Sequence, residues 1–232
     1  MNPEPTILIP ALDEAVNIRE VIRTVRRTVS ADIIVIDDAS TDATAAIARE
    51  EGARVLPLSL RLGAWGAVRT GIRYANAHRA DIVVTMDADG QHPPESICDL
   101  TAPIIAREAD VVVGSCTGRG STARKLSWYF FRKLTGLDIL DLTSGFRAYN
   151  AAAITALMTA DTALLDYQDI GVLLALTRAG MRIAEVPVPM CPRANGHSRV
   201  FSTWWDVLRY LVITGVLCLS KWGMPAVREV DS

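Results

Sequence analysis

The sequence predicts an α/β fold in which a doubly wound, mostly parallel sheet carries helices on both faces. Short apolar runs, which are typical of buried strands, alternate with segments of helical periodicity. Strands separated by helices in this way form parallel sheets. Acidic residues directly follow several of the runs, and ligands of such folds bind outside the carboxyl ends of the strands. The sequence therefore predicts a ligand site at one edge of the sheet.

The first part of the chain supplies four strands and three helices. Strands are predicted at residues 6–10, 33–36, 53–56 and 81–86, and helices at 16–25, 43–51 and 63–79. Asp13 and Glu14 are well placed to cap the first of these helices. Ser40, Thr41 and Asp42 precede the second helix, where capping side chains are preferred.

The second part of the chain is less regular. Helices are predicted at residues 94–109 and 171–179, strands at 111–115 and 182–188, and a tight turn at 143–147. The last apolar stretch, from Trp204 to Leu219, contains Trp205 and Arg209 and falls short of the ~18–20 residues that span a bilayer. It fits a helix lying in the membrane interface and equally a helix packed on the domain.

Composition narrows the class of protein. With 232 residues and 50% hydrophobic content, we expect one domain over residues 1–202, with an apolar helix and tail at 203–232. A net charge of −2 provides no basic field for nucleic acid. The four cysteines are scattered without CxxC spacing, which predicts reduced core thiols in a cytoplasmic protein. We expect no secretory signal, because the first residues lack a basic stretch and a long apolar run.

Two acids follow the fourth predicted strand in the run Asp87-Ala88-Asp89. In extended backbone, side chains at positions i and i+2 point the same way, so both carboxylates should converge. Mg²⁺ is commonly bound through one or two carboxylates together with substrate phosphates. An isolated Asp-x-Asp is more often a solvated strand exit. Asp37 and Asp38 end another predicted strand, however, which places all four acids at one edge.

The pattern excludes a dinucleotide-binding fold. The first strand-to-helix turn, Pro10-Ala11-Leu12-Asp13-Glu14, contains no glycine, and neither GxGxxG nor a P-loop lysine follows it. An acidic turn repels a pyrophosphate that approaches without a metal. If a nucleotide binds here, its phosphates need the cation held at Asp87 and Asp89, while other carboxylates serve the base and ribose.

Basic residues recur in the later loops. A helix near Arg124 mixes basic and aromatic residues, which suits a phosphorylated apolar molecule, a membrane surface or simply a solvated face. The loop at 193–199 is a plausible phosphate clamp or lid, with a plain surface loop as the alternative. Arg147 could meet a phosphate or pair with a surface acid.

Five motifs in order carry a family resemblance. They lie at residues 9–14, 36–42, 87–94, 143–147 and, as a strand with its following loop, 183–199. With these motifs the chain resembles the inverting family 2 glycosyltransferases of the GT-A fold. The branch that it resembles most is that of the dolichyl- or polyprenyl-phosphate sugar transferases, over roughly residues 5–202.

The resemblance implies a nucleoside-diphosphate sugar donor, a lipid-phosphate or small-molecule acceptor, and Mg²⁺ or Mn²⁺ as cofactor. It assigns the donor nucleotide to Pro10, Ala11, Asp13, Glu14, Asp37, Asp38, Asp87, Ala88 and Gln91, with the metal on Asp87 and Asp89. It assigns acceptor and phosphate contacts to Arg124, Ser144, Arg193, Ser198 and Arg199. The implied catalytic residues are Asp89, Arg147 and Asp169.

Three functions follow as hypotheses. The first is transfer to polyprenyl phosphate at the cytoplasmic membrane face, with peripheral membrane contact through 203–221. The second is a soluble transferase acting on a hydroxyl of a small metabolite with Asp169 as base, although Asp169 also suits a helix N-terminus. The third is a non-catalytic nucleotide-sugar-binding module, because Ala64-Trp65 departs from the family's Asn-x-Gly-Lys-Gly. The donor base, the sugar and the oligomeric state, a homo-oligomer included, stay open.

Overall fold

Seven strands form one sheet in the computed structural model of the chain, which describes residues 3–116, 132, 136–158 and 170–189. The strands are β1 (Thr6–Ala11), β2 (Asp32–Asp37), β3 (Arg54–Pro57), β4 (Ile82–Thr85), β5 (Val111–Ser115), β6 (Arg147–Asn150) and β7 (Ile183–Pro187). The helices are α1 (Ile18–Thr28), α2 (Thr44–Glu50), α3 (Gly63–Ala77), α4 (Ile97–Ile105), α5 (Ala151–Ala156) and α6 (Ile170–Arg178). A 3₁₀ turn, Pro94–Ser96, leads into α4.

The strand order in the sheet is β3-β2-β1-β4-β6-β5-β7. β1 pairs in parallel with β2 on one side and with β4 on the other, so the direction of winding reverses between β1 and β4. β6 runs antiparallel to both of its neighbours, and β7 pairs in parallel with β5. The predicted doubly wound, mostly parallel sheet is confirmed, and its switch point lies between β1 and β4.

Apolar side chains cover both faces of the sheet because strand residues alternate between faces. Ile7 and Ile9 of β1 belong to one core cluster with buried residues of α1, α2 and α4. Leu8 belongs to the opposite cluster with residues of α3, α5 and α6, including Trp65, which is 1% exposed. The sheet is therefore covered by an apolar layer on each of its two faces.

Several predictions about local structure were wrong. Asp13 and Glu14 do not cap the first helix, because its N-cap is Asn17, which makes no side-chain capping hydrogen bond. The first helix begins at Ile18 instead of residue 16, and Val16 is 74% exposed, because the chain is still turning after Glu14. The turn predicted through residue 147 ends earlier, since Arg147 already pairs with both β4 and β5 as the start of β6. Cys98 is exposed on α4 and is therefore no core thiol.

An ion pair fastens the amino-terminal ends of β5 and β7. Nε and Nη2 of Arg182 donate to the two carboxylate oxygens of Asp110, each at 3.0 Å, and Nδ2 of Asn150 donates to Oδ1 at 2.8 Å. The hydrogen bonds from Arg182 lower the pKa of Asp110 to about 2. Asp110 therefore stabilises the folded chain only while it is ionised.

Replacement of Asp110 by asparagine should lower the free energy of unfolding by about 1 kcal/mol near neutral pH. The folded pKa lies below the ~3.9 of an unfolded aspartate, so the contribution is complete above about pH 5 and is lost as the pH falls toward 2. Urea unfolding of both proteins at pH 7 and pH 3 checks this. The difference should shrink at pH 3, and an equal difference at both pH values would contradict the assignment.

Among the described residues, none of the helices combines the length and the apolar character needed to cross a membrane. The apolar stretch 203–221 and the boundary at residue 202 lie outside the described residues. Both stay predictions.

Candidate active site

Three acidic turns meet at the carboxyl edge of the sheet, around the switch point between β1 and β4. Asp13 follows β1, Asp37 ends β2, and Asp87 lies two residues beyond the end of β4. These strands are neighbours in the order β2-β1-β4. A crevice at such a reversal is the usual ligand position in open α/β sheets. The predicted gathering of these acids at one edge is thus observed.

The loops after β1 and β2 are tied to each other. The backbone N–H of Asp13 donates to Oγ of Ser40 at 2.9 Å, and the backbone N–H of Thr41 donates to Oδ1 of Asp13 at 2.7 Å. Asp13 and Ala39 both have positive φ, at 49° and 59°. Such conformations cost non-glycine residues about 1 kcal/mol or more and cluster at ligand sites. The two loops therefore form one preorganised wall.

Two acids of this wall, Glu14 and Asp38, are buried. Both carboxylate oxygens of Asp38 accept hydrogen bonds at the start of α3, from the backbone N–H of Leu62 at 2.6 Å and of Gly63 at 2.9 Å. Oε2 of Glu14 accepts a hydrogen bond from Nδ2 of Asn17 at 2.7 Å. Asp38 thus caps α3 while it faces the edge. Its contact with a base or ribose stays a prediction.

The other residues predicted to bind the donor lie on the same edge. Ala11, Asp37 and Ala88 are buried, whereas Pro10 and Gln91 are partly exposed. The contacts of these residues with a nucleotide stay predictions. Their common position at the carboxyl ends of β1 and β2 and beyond the end of β4 agrees with a single donor pocket.

The run Asp87-Ala88-Asp89 is not extended, contrary to prediction. β4 ends at Thr85, and Ala88 and Asp89 lie in a turn that Gly90 continues with a φ of 78°. Oδ1 of Asp89 accepts a hydrogen bond from the backbone N–H of Gln91 at 3.0 Å. Strand alternation therefore does not orient these carboxylates. The turn itself holds both of them at the edge.

The carboxylate of Asp87 is half-exposed, with a side-chain exposure of 50%. A Cβ at Gly145 would lie 3.4 Å from its Oδ1, so residue 145 packs directly against it. Oγ1 of Thr85 donates to the carbonyl oxygen of Gly145 at 2.7 Å and fixes that approach. Nε2 of His92 lies 3.7 Å from Oδ2 of the same carboxylate. The sequence predicts no role for His92, although it stands inside the motif at 87–94.

Arg147 is fully buried and braces the turn before β6. Its Nε donates to the carbonyl oxygen of Ser144 at 2.8 Å, and its Nη2 donates to that of Leu142 at 3.1 Å. Among the described residues, Arg147 therefore forms no ion pair with a surface acid, which is one of the two roles considered for it. Ser144 is 3% exposed, and its Oγ accepts a hydrogen bond from the backbone N–H of Phe146 at 3.3 Å. Arg147 thereby shapes the segment that contacts Asp87.

The remaining predicted site residues fall outside the described part of the chain. They are Arg124, Asp169, Arg193, Ser198 and Arg199. Beside the described site, a small cleft extends from His92 toward Ser144 and Pro189. The phosphate and acceptor contacts of the five residues stay predictions.

Asp87 and Asp89 fit a metal that the substrate helps to hold. Within the described residues, nowhere do three or more His, Cys, Asp or Glu side chains surround one metal position. A cation here would take one or two carboxylates from these residues. Mg²⁺ is bound in that way in many phosphate sites, where water and substrate phosphates complete its shell. The half-exposed carboxylate of Asp87 is accessible to such an ion.

The family model described as "Glycosyl transferase family 2" matches residues 6–163, which is more than half of the chain. The chain therefore belongs to glycosyltransferase family 2 and is an enzyme of that class. It is 30% identical to undecaprenyl-phosphate mannosyltransferase of Micrococcus luteus, over 94% of this chain and 93% of that protein. It is 28% identical to polyprenol monophosphomannose synthase of Mycolicibacterium smegmatis, over 84% and 80%. These relatives place it in the polyprenyl-phosphate sugar transferase branch.

Solved structures agree on the fold. Glucosyl-3-phosphoglycerate synthase of Mycobacterium tuberculosis, in complex with phosphoglyceric acid, superposes with a TM-score of 0.74 at 25% identity, over 97% of this chain and 82% of that chain. The same enzyme in complex with Mn²⁺, UDP-glucose and phosphoglyceric acid gives a TM-score of 0.71 at 24% identity, over 93% and 80%. The predicted GT-A fold is confirmed.

Proposed function

We propose that this chain transfers a sugar from a nucleoside-diphosphate sugar to polyprenyl phosphate, with inversion at the anomeric carbon and in dependence on Mg²⁺ or Mn²⁺. One observation carries the proposal. Two carboxylates, Asp87 and Asp89, follow β4 at the switch point of the sheet in a member of glycosyltransferase family 2. The 30% identity with an undecaprenyl-phosphate mannosyltransferase over 94% of the chain supports the choice of acceptor.

We propose that the base and ribose of the donor bind against the wall formed by the loops after β1 and β2. Its acids accept hydrogen bonds from the protein backbone, as Asp38 does at α3, so their positions are fixed before a ligand arrives. Asp87 and Asp89 would hold the cation beside the diphosphate. When bound, Mg²⁺ or Mn²⁺ offsets the negative charge that develops on the departing nucleoside diphosphate.

The acceptor phosphate needs no general base in this reaction. A phosphate monoester has a second pKa of about 6 and is largely ionised at neutral pH. One of its oxygens forms a bond to the anomeric carbon as the bond to the diphosphate breaks, and the diphosphate leaves with the electron pair. We propose that Arg124, Arg193, Ser198 and Arg199 hold this anion in line, together with Ser144 on the turn that Arg147 braces.

A hydroxyl acceptor is the second candidate function. A sugar or metabolite hydroxyl requires a carboxylate base within hydrogen-bond reach, for which Asp169 is the candidate. The third hypothesis, a binding module without catalysis, loses its motivation. Trp65, which suggested a remodelled pocket, is 1% exposed in the apolar layer formed with α3, and the chain belongs to an enzyme family.

Membrane contact through residues 203–221 and a place at the cytoplasmic face belong to the same proposal. A polyprenyl chain is held in a bilayer, so the enzyme must work at its surface. Sedimentation with vesicles, for the whole chain and for a chain shortened after residue 202, tests this contact. Vesicle binding should fall at least ~10-fold in the shortened chain, and equal binding would contradict it.

Product analysis separates the two acceptors. The purified chain is incubated with UDP-, GDP- or TDP-linked sugars and polyprenyl phosphate in detergent, and the anomeric configuration of the product is read by NMR. We expect inversion, and we expect Asp169→Asn to keep the rate within about tenfold, because an ionised phosphate needs no base. Near-total loss in Asp169→Asn, with turnover of detergent-free soluble hydroxyl acceptors, would establish the second function instead.

A further inference from the structure

We infer that His92 is a positioning residue that fixes the backbone and the carboxylate of Asp87 for cation binding. The inference rests on the proposed function, since it concerns the same two carboxylates. His92 is 4% exposed and belongs to the turn between β4 and α4. The effect of replacing His92 can be distinguished from that of replacing a metal ligand, because we propose that His92 contacts Asp87 and not the substrate.

Both ring nitrogens of His92 lie close to Asp87. Its Nδ1 accepts a hydrogen bond from the backbone N–H of Asp87 at 3.0 Å. An accepting nitrogen carries no hydrogen, so the neutral ring bears its proton on Nε2. That nitrogen lies 3.7 Å from Oδ2 of Asp87, which is longer than a direct hydrogen bond but electrostatically favourable. One ring thus fixes the backbone of Asp87 and faces its carboxylate.

The ring itself is held in place by stacking. His92 lies nearly parallel to Phe146, with an angle of 9° between the planes and 4.9 Å between the ring centres. Phe146 is fully buried in the core cluster beneath α4. Its neighbour Gly145 accepts a hydrogen bond from Thr85 through its carbonyl oxygen and packs against the carboxylate of Asp87. The carboxylate therefore has two fixed neighbours, with Nε2 of His92 3.7 Å from Oδ2 and Gly145 packed against it.

These contacts orient Asp87 in place of strand geometry, because β4 ends before this residue. Asp87 lies beyond the last residue of β4, and half of its side chain is exposed, so its position depends on contacts from the turn. Holding a flexible side chain in one orientation costs conformational entropy, which a preset orientation removes from the binding step. Residues that orient metal ligands are typically worth 10- to 100-fold in metal affinity.

A histidine that only fills space in the core would also be buried. Substitutions distinguish such a packing role from the positioning of Asp87. His92→Phe keeps the ring and the stack on Phe146 but removes both nitrogens. His92→Asn can place an acceptor oxygen where Nδ1 lies and so restores the hydrogen bond from Asp87. A packing role predicts that phenylalanine is the better replacement. A positioning role predicts that asparagine is.

The matched control is His78→Phe. His78 also stacks on an aromatic ring, that of Tyr74 at 3.9 Å, and its Nδ1 lies 2.8 Å from the carbonyl oxygen of that residue. It follows the carboxyl end of α3, at the sheet edge opposite the site. Mn²⁺ binding should be unchanged in His78→Phe.

The test is the dissociation constant of Mn²⁺, measured by electron paramagnetic resonance with UDP, GDP or TDP present. We expect ~10- to 100-fold weaker Mn²⁺ binding in His92→Phe, with an unchanged acceptor KM and recovery of most of the affinity in His92→Asn. Equal Mn²⁺ affinity in wild type and His92→Phe would overturn the inference. If His92→Phe fails to fold by circular dichroism, His92→Leu replaces it under the same criterion. Absence of Mn²⁺ binding to the wild type with every nucleotide would instead overturn the proposed function.

Discussion

Asp89→Ala should reduce the rate of sugar transfer at least ~10³-fold, which corresponds to about 4 kcal/mol in the activation barrier. The substitution removes one of two carboxylates that we assign to the cation. The charge on the leaving diphosphate is then offset far less, and cation stabilisation of this kind is worth several kcal/mol. Initial rates at saturating donor and Mn²⁺ measure the effect.

Asp81→Ala is the control for that substitution. Asp81 is exposed and immediately precedes β4, so it lies at the other end of the strand that leads to Asp89. It should keep the wild-type rate. Asp89 also accepts a hydrogen bond from Gln91, so circular dichroism must show that the Asp89→Ala variant is folded. A folded Asp89→Ala enzyme with the wild-type rate would remove the chemical basis of the proposal.

Arg147→Met should lower the free energy of unfolding by about 3 kcal/mol. Methionine fills much of the same volume, but the carbonyl oxygens of Ser144 and Leu142 lose their buried donors. A buried carbonyl without a partner costs about 1–3 kcal/mol. The turn that packs Gly145 against Asp87 would loosen, so transfer should also fall about tenfold. Urea unfolding and steady-state kinetics measure both effects.

The opposite outcome would support direct phosphate contact by Arg147, a role that the family resemblance implies and that stays a prediction. A residue that binds the acceptor phosphate directly would, on replacement, raise the acceptor KM and leave stability nearly unchanged. Full stability of Arg147→Met combined with a higher KM would therefore contradict the bracing role. The fully buried position of Arg147 is the reason that we expect the first result.

The parts of the fold that follow local rules were predictable from the sequence. Runs such as Ile7-Leu8-Ile9 and Ile33-Ile34-Val35-Ile36 are apolar on both faces, as strands covered by two layers of helices must be. The acids after these runs were correctly expected at one edge, because parallel strands end together. The order of the strands, which creates the switch point, agrees with that expectation.

What the sequence did not predict depends on partners that are distant along the chain. β6 is only four residues long and lacks an apolar run, and its identity as a strand comes from pairing with β4 and β5 on both sides. His92 acquires its orientation from Phe146, far away in sequence. Local periodicity contains neither relation. The extended geometry expected for Asp87 to Asp89 failed because a turn begins before Asp89.

The tie between the first two loops was missed for a related reason. Ser40 and Thr41 were interpreted as capping residues of α2, whereas both are hydrogen-bonded to Asp13 across the edge. Capping preferences describe a residue's own helix and do not reveal a second loop within reach. The N-cap of α2 is Ala43, which makes no side-chain capping hydrogen bond, so the capping role predicted for Ser40 and Thr41 was wrong.

The central claim is that Asp87 and Asp89 hold a cation that in turn holds the diphosphate of the donor. Thermal unfolding with UDP, GDP and TDP, each with and without Mn²⁺, tests it on the wild type and on a variant with alanine at both positions. One nucleotide at about 100 times its Kd should raise the Tm by roughly 5–10 °C with Mn²⁺, far less without it, and hardly at all in the variant. Equal stabilisation without the metal, or in the variant, would contradict the claim.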